Sequence, residues 1–480
     1  MHVLVLGTPE GLGASLPILL TEALLFLYFL AVNLVDLMTI LVALIALPRS
    51  IRIDAGDALG RTLSAFSAPV SVLVPAYNEE ADIEQAVRSL VALKYVQHEV
   101  IVINDGSTDG TLDRLMTAFD LVPFNVARYI KFPTKPIRTI YRSRLSPNLI
   151  VIDKENGGKG DALNAGLNAA RYPLLFSADA DTLYADDCLE KMVQPFLEDM
   201  TTVACGANIG ILNGAGIRED GRPFHTALPR NFLVRCQILE YLRAFLNCRA
   251  GWSPLNGLLI VSGACGLWKK EAVIGAGGFS VNTIWEDLEM TVRIHSYMRA
   301  QRKRYRVAFV ASPVCWTNVP ESLAHLSNQR IGWHRHLSEV VSIHRKLLFN
   351  KRGGLVEWLA FPNLVLGEWL APLWQLGGLL FLIVCAMLGI LSLNGQLALV
   401  SIVFGLMLLK AAAALLLDEI SFRSHRLRVV WGLFWTAVFE QFGFRQLVAL
   451  WSLIGVAKFL ARTPIRGRTH DIPSIFDKPY

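Results

Sequence analysis

The chain has 480 residues, 53% of them hydrophobic and only 18% charged. Soluble globular proteins carry about 25% charged residues, so a purely soluble fold is excluded and a membrane component is expected. The formal charge of +6 is too mild for a nucleic-acid binder and suits anionic lipid headgroups or a phosphate-bearing substrate.

The length fits one soluble domain with a few membrane spans. The N-terminus has no basic region ahead of a short apolar core, so the first apolar stretch is expected to stay as an anchor. Ala23 to Pro48 is nearly all apolar and long enough to cross about 30 Å, with a single charge at Asp36. Arg49 and Arg52 follow at once and place this end in the cytoplasm, so residues 1–48 form a transmembrane anchor with its N-terminus outside. A polar linker, Asp54 to Ser67, leads on.

From Pro69 to about Asn350, short apolar runs alternate with helical patterns. Val70–Val74, His98–Ile103, Leu149–Ile152 and Leu174–Ser177 read as strands. Glu79–Leu93, Thr111–Phe119, Lys159–Ala170 and Asp186–Leu197 read as helices. This alternation predicts an α/β domain over 69–320 with a largely parallel sheet. Ligands of such sheets bind at the carboxyl ends of the strands. Ser322–Val340, within 321–350, reads as a helix along the membrane surface. Trp369–Leu409 holds no charge and is divided at Leu393–Gln396, so two spans are expected over 362–417. Over 429–460 an apolar run is interrupted by Glu440 and Arg445 between basic flanks, which predicts a re-entrant or interfacial helix pair. A basic cytoplasmic tail closes the chain over 461–480. Asp36 and Lys410 lie at similar depths in their spans and are expected to pair, with separate snorkelling as the alternative. The seven cysteines have no C-x-x-C spacing and read as free buried thiols.

Six constellations carry chemistry. Pro75-Ala76-Tyr77-Asn78-Glu79 follows the first strand, where a plain helix start would also account for it. Asn104-Asp105-Gly106-Ser107-Thr108-Asp109-Gly110 follows the second; Asp105 suits a base or ribose, and a capped loop is the alternative. Asp179 and Asp181 lie one residue apart past a buried strand. Two such anions repel, and Mg²⁺ or Mn²⁺ with a diphosphate is a natural answer. Gly157-Gly158-Lys159 opens a helix, a phosphate-binding arrangement that is also simply a glycine turn. Glu286 and Asp287 open another helix, where the dipole favours acids and Asp287 suits a general base. Gln329 and Trp333 share one helix face.

Together and in this order, these motifs resemble the processive family-2 membrane glycosyltransferases with a GT-A fold, of the cellulose, hyaluronan and poly-N-acetylglucosamine synthase type. That pattern is D, D-x-D, (T)ED and Q-x-x-R-W, matched by Asp105, Asp179/Asp181, Glu286-Asp287 and Gln329/Trp333, from about Ser71 to Leu337. The resemblance implies a GT-A, Rossmann-like mixed-sheet cytoplasmic domain with α-helical spans, in a bacterial-type inner or plasma membrane. It implies a UDP-sugar donor, of the UDP-glucose or UDP-N-acetylglucosamine class, held by Pro75, Tyr77, Glu79, Asp105, Lys159, Asp179, Arg330 and Arg335. Asp181 would ligate Mg²⁺ or Mn²⁺, and Asp287 with Glu286 would be catalytic. Ser262, Gly263, Gln329 and Trp333 would face the acceptor, a growing polysaccharide or a lipid. The product of an inverting transfer would be β-linked. An accessory export or regulatory subunit is an expected partner. Single-sugar transfer to a lipid is the alternative activity, and an inactive receptor or export scaffold a third reading. Two positions depart from the pattern. Gly332 stands where the motif has Arg, and Arg335 or Arg330 is expected to take over its phosphate contact. Asp161, close behind Lys159, must face away from any diphosphate.

Overall fold

The computed structural model describes residues 12–56, 68–124, 130–217, 222–283, 285–351, 353–388 and 393–462. Most of the polar linker and the tail beyond 462, with Arg466 and Arg468, lie outside the described residues. The chain opens with one long helix, α1 (Leu12–Gly56). The soluble domain follows as β1 (Val70–Ala76), α2 (Ile83–Val91), β2 (His98–Asp105), α3 (Thr111–Phe119), β3 (Leu121–Pro123), β4 (Ile137–Ser143) and β5 (Leu149–Lys154). It continues through α4 (Lys159–Ala169), β6 (Leu174–Ala178), β7 (Leu183–Tyr184), α5 (Cys188–Glu198) and β8 (Thr202–Ile211). Then come the hairpin β9 (Gly216–Ile217) and β10 (Pro223–Phe224), α6 (Phe232–Leu242), β11 (Cys265–Lys269), α7 (Lys270–Gly275), α8 (Asp287–Ala300), β12 (Arg306–Thr317) and α9 (Leu323–Ile343).

Ten strands form one sheet in the order β3-β4-β5-β2-β1-β6-β11-β8-β12-β7. Strands β5, β2, β1 and β6 run parallel, and β12 runs parallel to β8. The other pairings are antiparallel, including β11 between β6 and β8. The sheet is therefore mixed rather than largely parallel: buried apolar runs read the same in either direction, and only the connections decide it. Side chains alternate across the sheet as the period of two requires. Val70, Val72 and Val74 of β1 and Val100 and Val102 of β2 pack beneath α2, α3 and α5. Leu73, Ile101 and Ile103 face the opposite layer, with α4, α8 and α9. Helix α2 starts four residues later than its pattern predicts. The reason is local: Glu79 and Glu80 donate their backbone N–H groups to Thr111 and Asp109, which hold this turn open.

Helix α6 runs on without a break through a π-helical stretch, Arg243–Arg249. Beyond α9 come α10 (Val356–Trp369), α11 (Ala371–Met387), α12 (Leu393–Ser421), α13 (Leu427–Phe439) and α14 (Phe444–Leu460). Among the described residues, two helices are long and apolar enough to cross a membrane, Leu20–Leu47 and Leu397–Ser421. Helices α10 and α11 meet at 49° and α13 and α14 at 63°. The second bend falls at Gly443, whose φ of +96° few other residues adopt. The two charges that interrupt this apolar run are satisfied together. Glu440 is fully buried, accepts from Arg243 at 2.6 and 3.2 Å, and accepts from Arg445 at 3.2 Å.

Asp36 and Lys410 do pair: Lys410 Nζ lies 2.7 Å from Asp36 Oδ2 and 3.1 Å from Asn33 Oδ1. The pair ties α1 to α12. Asp36→Ala is expected to lower stability by about 1–3 kcal/mol, because it leaves an ammonium among apolar helices. The charge-swapped pair Asp36→Lys with Lys410→Asp should recover most of the lost thermal stability in detergent, and failure to recover it counts against the pairing.

His295 on α8 is a second buried polar group with a consequence. Its ring bonds to Tyr305 and to the Leu258 carbonyl, both at 2.8 Å. Burial lowers its pKa from the ordinary 6.5 to about 4. The unfolded chain therefore binds a proton that the folded one refuses. Stability is full above pH 6.5 and falls as pH drops toward 4, by about 3 kcal/mol in all. Thermal unfolding across pH 4–8 should show this slope, and His295→Gln should flatten it.

Candidate active site

The acidic motifs converge at the carboxyl ends of β1, β2 and β6, where the parallel strands leave a crevice. Each connecting loop is braced by its neighbour. Asn78 (φ +57°) accepts from the Thr108 amide at 2.8 Å, and Ser107 Oγ accepts from the Asn78 amide at 3.0 Å. These bonds carry Tyr77, which is exposed, and Glu79 past the end of β1 behind Pro75. Burial first, and then Asp181, push the Glu79 carboxyl up to about 7.

Asp105 ends β2 and is almost fully buried. Its carboxylate accepts from Lys154 at 2.6 Å and from the Gly157 and Gly158 amides at 3.0 and 2.7 Å. Burial raises its pKa despite these donors. Here Asp105 shapes the glycine loop in front of α4, and Gly158 meets that shape with φ +86°. Lys154, wholly buried, also pairs with Asp161 at 2.5 Å. Asp161 thus faces away from the crevice, as its position next to Lys159 requires. Sequence reading missed Lys154; the one signal was a lysine closing the apolar strand Leu149–Lys154.

Lys159, first in α4, reaches into the crevice. Its Nζ lies 2.7 Å from Asp179 Oδ1 and 3.2 Å from Glu286 Oε1. Burial opposes the charge, but Asp179 and Glu286 outweigh it and raise the lysine pKa. Asp179 is held in turn by Tyr184, whose hydroxyl accepts from the Asp179 amide and donates to the Ala264 carbonyl, both at 2.8 Å. Gly263 is the point of convergence. A Cβ there would lie 3.0 Å from Lys159 Nζ, 3.2 Å from Glu286 Oε1 and 3.8 Å from Asp287 Cβ. Its amide donates to Asp287 Oδ2 at 3.2 Å, while Asp287 Oδ1 accepts from Leu288 N at 2.8 Å. Ser262 precedes it in the same loop. Glu286 is buried; beyond the Lys159 ammonium at 3.2 Å, neither carboxylate oxygen has a hydrogen-bond partner among the described residues, and burial raises its pKa.

Asp181 carries no ion pair among the described residues; Thr182 Oγ1 donates to it at 3.3 Å. Burial and then Asp179 raise its pKa. A hard cation fits such a site chemically, with water and phosphate oxygens completing its shell. Among the described residues, no group of three or more His, Cys, Asp or Glu side chains could hold a metal by itself.

On α9, Trp333 is 39% exposed, and the Arg330 guanidinium stacks over its ring at 4.2 Å. Arg330 is itself buried and ion-paired with Glu240 of α6 at 2.8 Å. Its charge is thus engaged by Glu240 and Trp333 rather than by the carboxylate cluster. Arg335 lies where α9 packs on α14: a Cβ on Gly455 would sit 3.1 Å from the Arg335 backbone nitrogen. Gln329 Oε1 is buried with no hydrogen-bond partner among the described residues. Beside Glu240, a cavity of about 420 Å³ opens among α1, α6, α11, α12 and α14, where Asp36, Glu240, Arg243 and Lys410 stand beside apolar Ile40, Met407 and Val448.

A mixed α/β sheet with paired aspartates past the end of β6, a lysine between Asp179 and Glu286 and a helix-opening Glu-Asp is of the GT-A type. The family described as glycosyl transferase family group 2 matches residues 176–417, just over half the chain, and glycosyl transferase family 2 matches residues 71–250. The chain belongs to the family-2 glycosyltransferases. It is 29% identical over 274 residues to a poly-beta-1,6-N-acetyl-D-glucosamine synthase of Staphylococcus aureus, covering 57% of this chain and 55% of that protein. It is 26% identical over 273 residues to the synthase of Staphylococcus epidermidis, again covering 57% and 55%. The chain thus spans about half the length of the curated relatives it matches. A mannosyltransferase from Pyrobaculum calidifontis, solved with GDP-Man and Mn²⁺, superposes over 90% of this chain and 100% of its own, at 19% identity and a TM-score of 0.48.

Proposed function

We propose that this protein is an inverting β-glycosyltransferase that extends a polysaccharide at the cytoplasmic face of the membrane, from a UDP-sugar of the UDP-glucose or UDP-N-acetylglucosamine class. The observation that carries this reading is the convergence of Lys159, Asp179, Glu286 and Asp287 on Gly263 within a family-2 domain. Asp287 accepts the proton of the acceptor hydroxyl as that oxygen attacks the anomeric carbon; the bond from that carbon to the diphosphate breaks, and the configuration inverts. Lys159 stands ready to exchange a carboxylate for the diphosphate and offset its charge. Asp179 and Glu286 hold Lys159 until then. A divalent cation, Mg²⁺ or Mn²⁺, held by Asp181 would neutralise charge on the leaving diphosphate. Trp333 offers the acceptor sugar an aromatic floor, and Arg330 pins that ring from behind.

One observation favours a polymer over a lipid acceptor: the relatives named above are polymer synthases. The test is UDP release by the purified full chain with UDP-glucose, UDP-N-acetylglucosamine or UDP-glucuronate, followed by product sizing. Release with one of the first two and a long carbohydrate product is expected. A single sugar on lipid overturns the polymer, and no release with any donor overturns the donor class.

A further inference from the structure

Glycine is the poorest helix former after proline, yet Gly332 sits near the middle of the 21-residue helix α9. Its neighbour supplies the reason. A Cβ on Gly332 would lie 2.6 Å from Cη2 of Trp285 and 3.4 and 3.5 Å from two further ring carbons. The same indole meets the His336 ring edge to face, with centroids 5.7 Å apart and planes at 90°. His336 lies one helical turn beyond Gly332, so one side chain covers a full turn of α9. Trp285 immediately precedes Glu286 and Asp287. Its indole is therefore a direct contact between the turn that carries the base and the helix that carries Trp333.

The two positions are complementary in size. The indole at 285 fills the space beside position 332, where this chain has no side chain and the motif has an arginine. Gln329 Oε1, three residues before Gly332, is buried without a hydrogen-bond partner among the described residues, and His336 Nδ1, four residues after it, lies 3.8 Å from Glu339 Oε2.

We propose that Trp285 is a positioning residue: it fills the space an arginine at 332 would take, and so sets the Glu286–Asp287 turn at a working distance from the acceptor helix. This rests on the glycosyltransferase reading above. A displacement of about 1 Å between base and acceptor is enough to cost about 10²-fold in turnover.

The experiment is a double-mutant cycle in the full membrane-embedded chain: Trp285→Thr, Gly332→Arg and the two together, with the donor that the unaltered protein turns over. Each single change is expected to lower kcat by about 10²-fold with donor KM unchanged, and the double variant to recover at least tenfold over the worse single one. Gly332→Arg should also raise the share of donor hydrolysed rather than transferred, which loss of packing alone would not do. Single variants that keep kcat per folded molecule, or a double variant no better than the worse single one, overturn the proposal. If the arginine variants fail to fold, Gly332→Ala with and without Trp285→Phe decides by the same criteria. If the unaltered chain releases no UDP, it is the glycosyltransferase reading that fails; if it does and the cycle shows no coupling, only the positioning role fails.

Discussion

Asp287→Asn is expected to reduce sugar transfer by about 10²–10⁴-fold, the range that general-base catalysis supplies, with donor binding close to that of the unaltered protein. The geometry separates the two effects. Asp287 opens α8 and is aimed by two backbone donors, the Gly263 amide at 3.2 Å and the Leu288 amide at 2.8 Å. An asparagine oxygen still accepts one of them, so the turn keeps its place. What disappears is the capacity to take a proton from the acceptor hydroxyl. Lys159 and Asp179 on the donor side keep their 2.7 Å contact. Initial rates at varied donor concentration check this: kcat should fall and donor KM stay near its original value. A variant with half the original kcat would remove Asp287 from the chemistry.

Asp181→Asn is expected to change activity and stability in opposite directions. Burial and the charge of Asp179 both raise the Asp181 pKa, which means the folded protein is destabilised by its ionised form. By linkage, a carboxyl with a raised folded pKa withdraws stability as pH rises through the interval between the two values. Neutralising it removes this penalty, so the unliganded variant should melt somewhat higher, by a small margin because Asp181 is exposed and solvent screens its charge. The same change removes the one carboxylate of the pair that no cationic side chain engages. Donor-dependent turnover should fall by about 10²–10³-fold, and added Mg²⁺ or Mn²⁺ should no longer raise the melting temperature in the presence of UDP. Differential scanning in detergent, with and without cation, reads both signs in one experiment. A lower melting point together with undiminished turnover would contradict the assignment.

Much of the site was legible because its residues are anchored to strand ends that periodicity locates. The alternation Val70, Val72, Val74 against Leu73 marks a strand with both faces buried, and the polar residues directly after it must leave the sheet on one side. The same holds for Asp105 after β2 and for Asp179 after β6. Asp161 had to face away from an anion, and Lys154 is where it turns. The Asp36–Lys410 pair was legible for a different reason: an ion within an apolar helix has few neighbours able to satisfy it.

Pairing across the chain was not legible. Glu240 as the partner of Arg330 lies 90 residues away, in a helix whose composition says nothing of an acceptor site. Arg330, expected at the diphosphate, pairs with Glu240 and stacks over Trp333. The order of β11 between β6 and β8 depends on connections rather than on the apolar runs themselves.

What the amino-acid order determined by itself is the chemistry available where strands end and helices begin, and hence which acids, Asp105, Asp179, Asp181 and Asp287, stand as candidates for the site. Periodicity and charge are local properties and can be read locally. What only the tertiary structure decided is which charges are engaged by partners far along the chain, and that Gly332 is less a lost arginine than the space into which Trp285 fits. Volume and pairing are properties of two positions at once, and they acquire a value only when the fold brings those positions together.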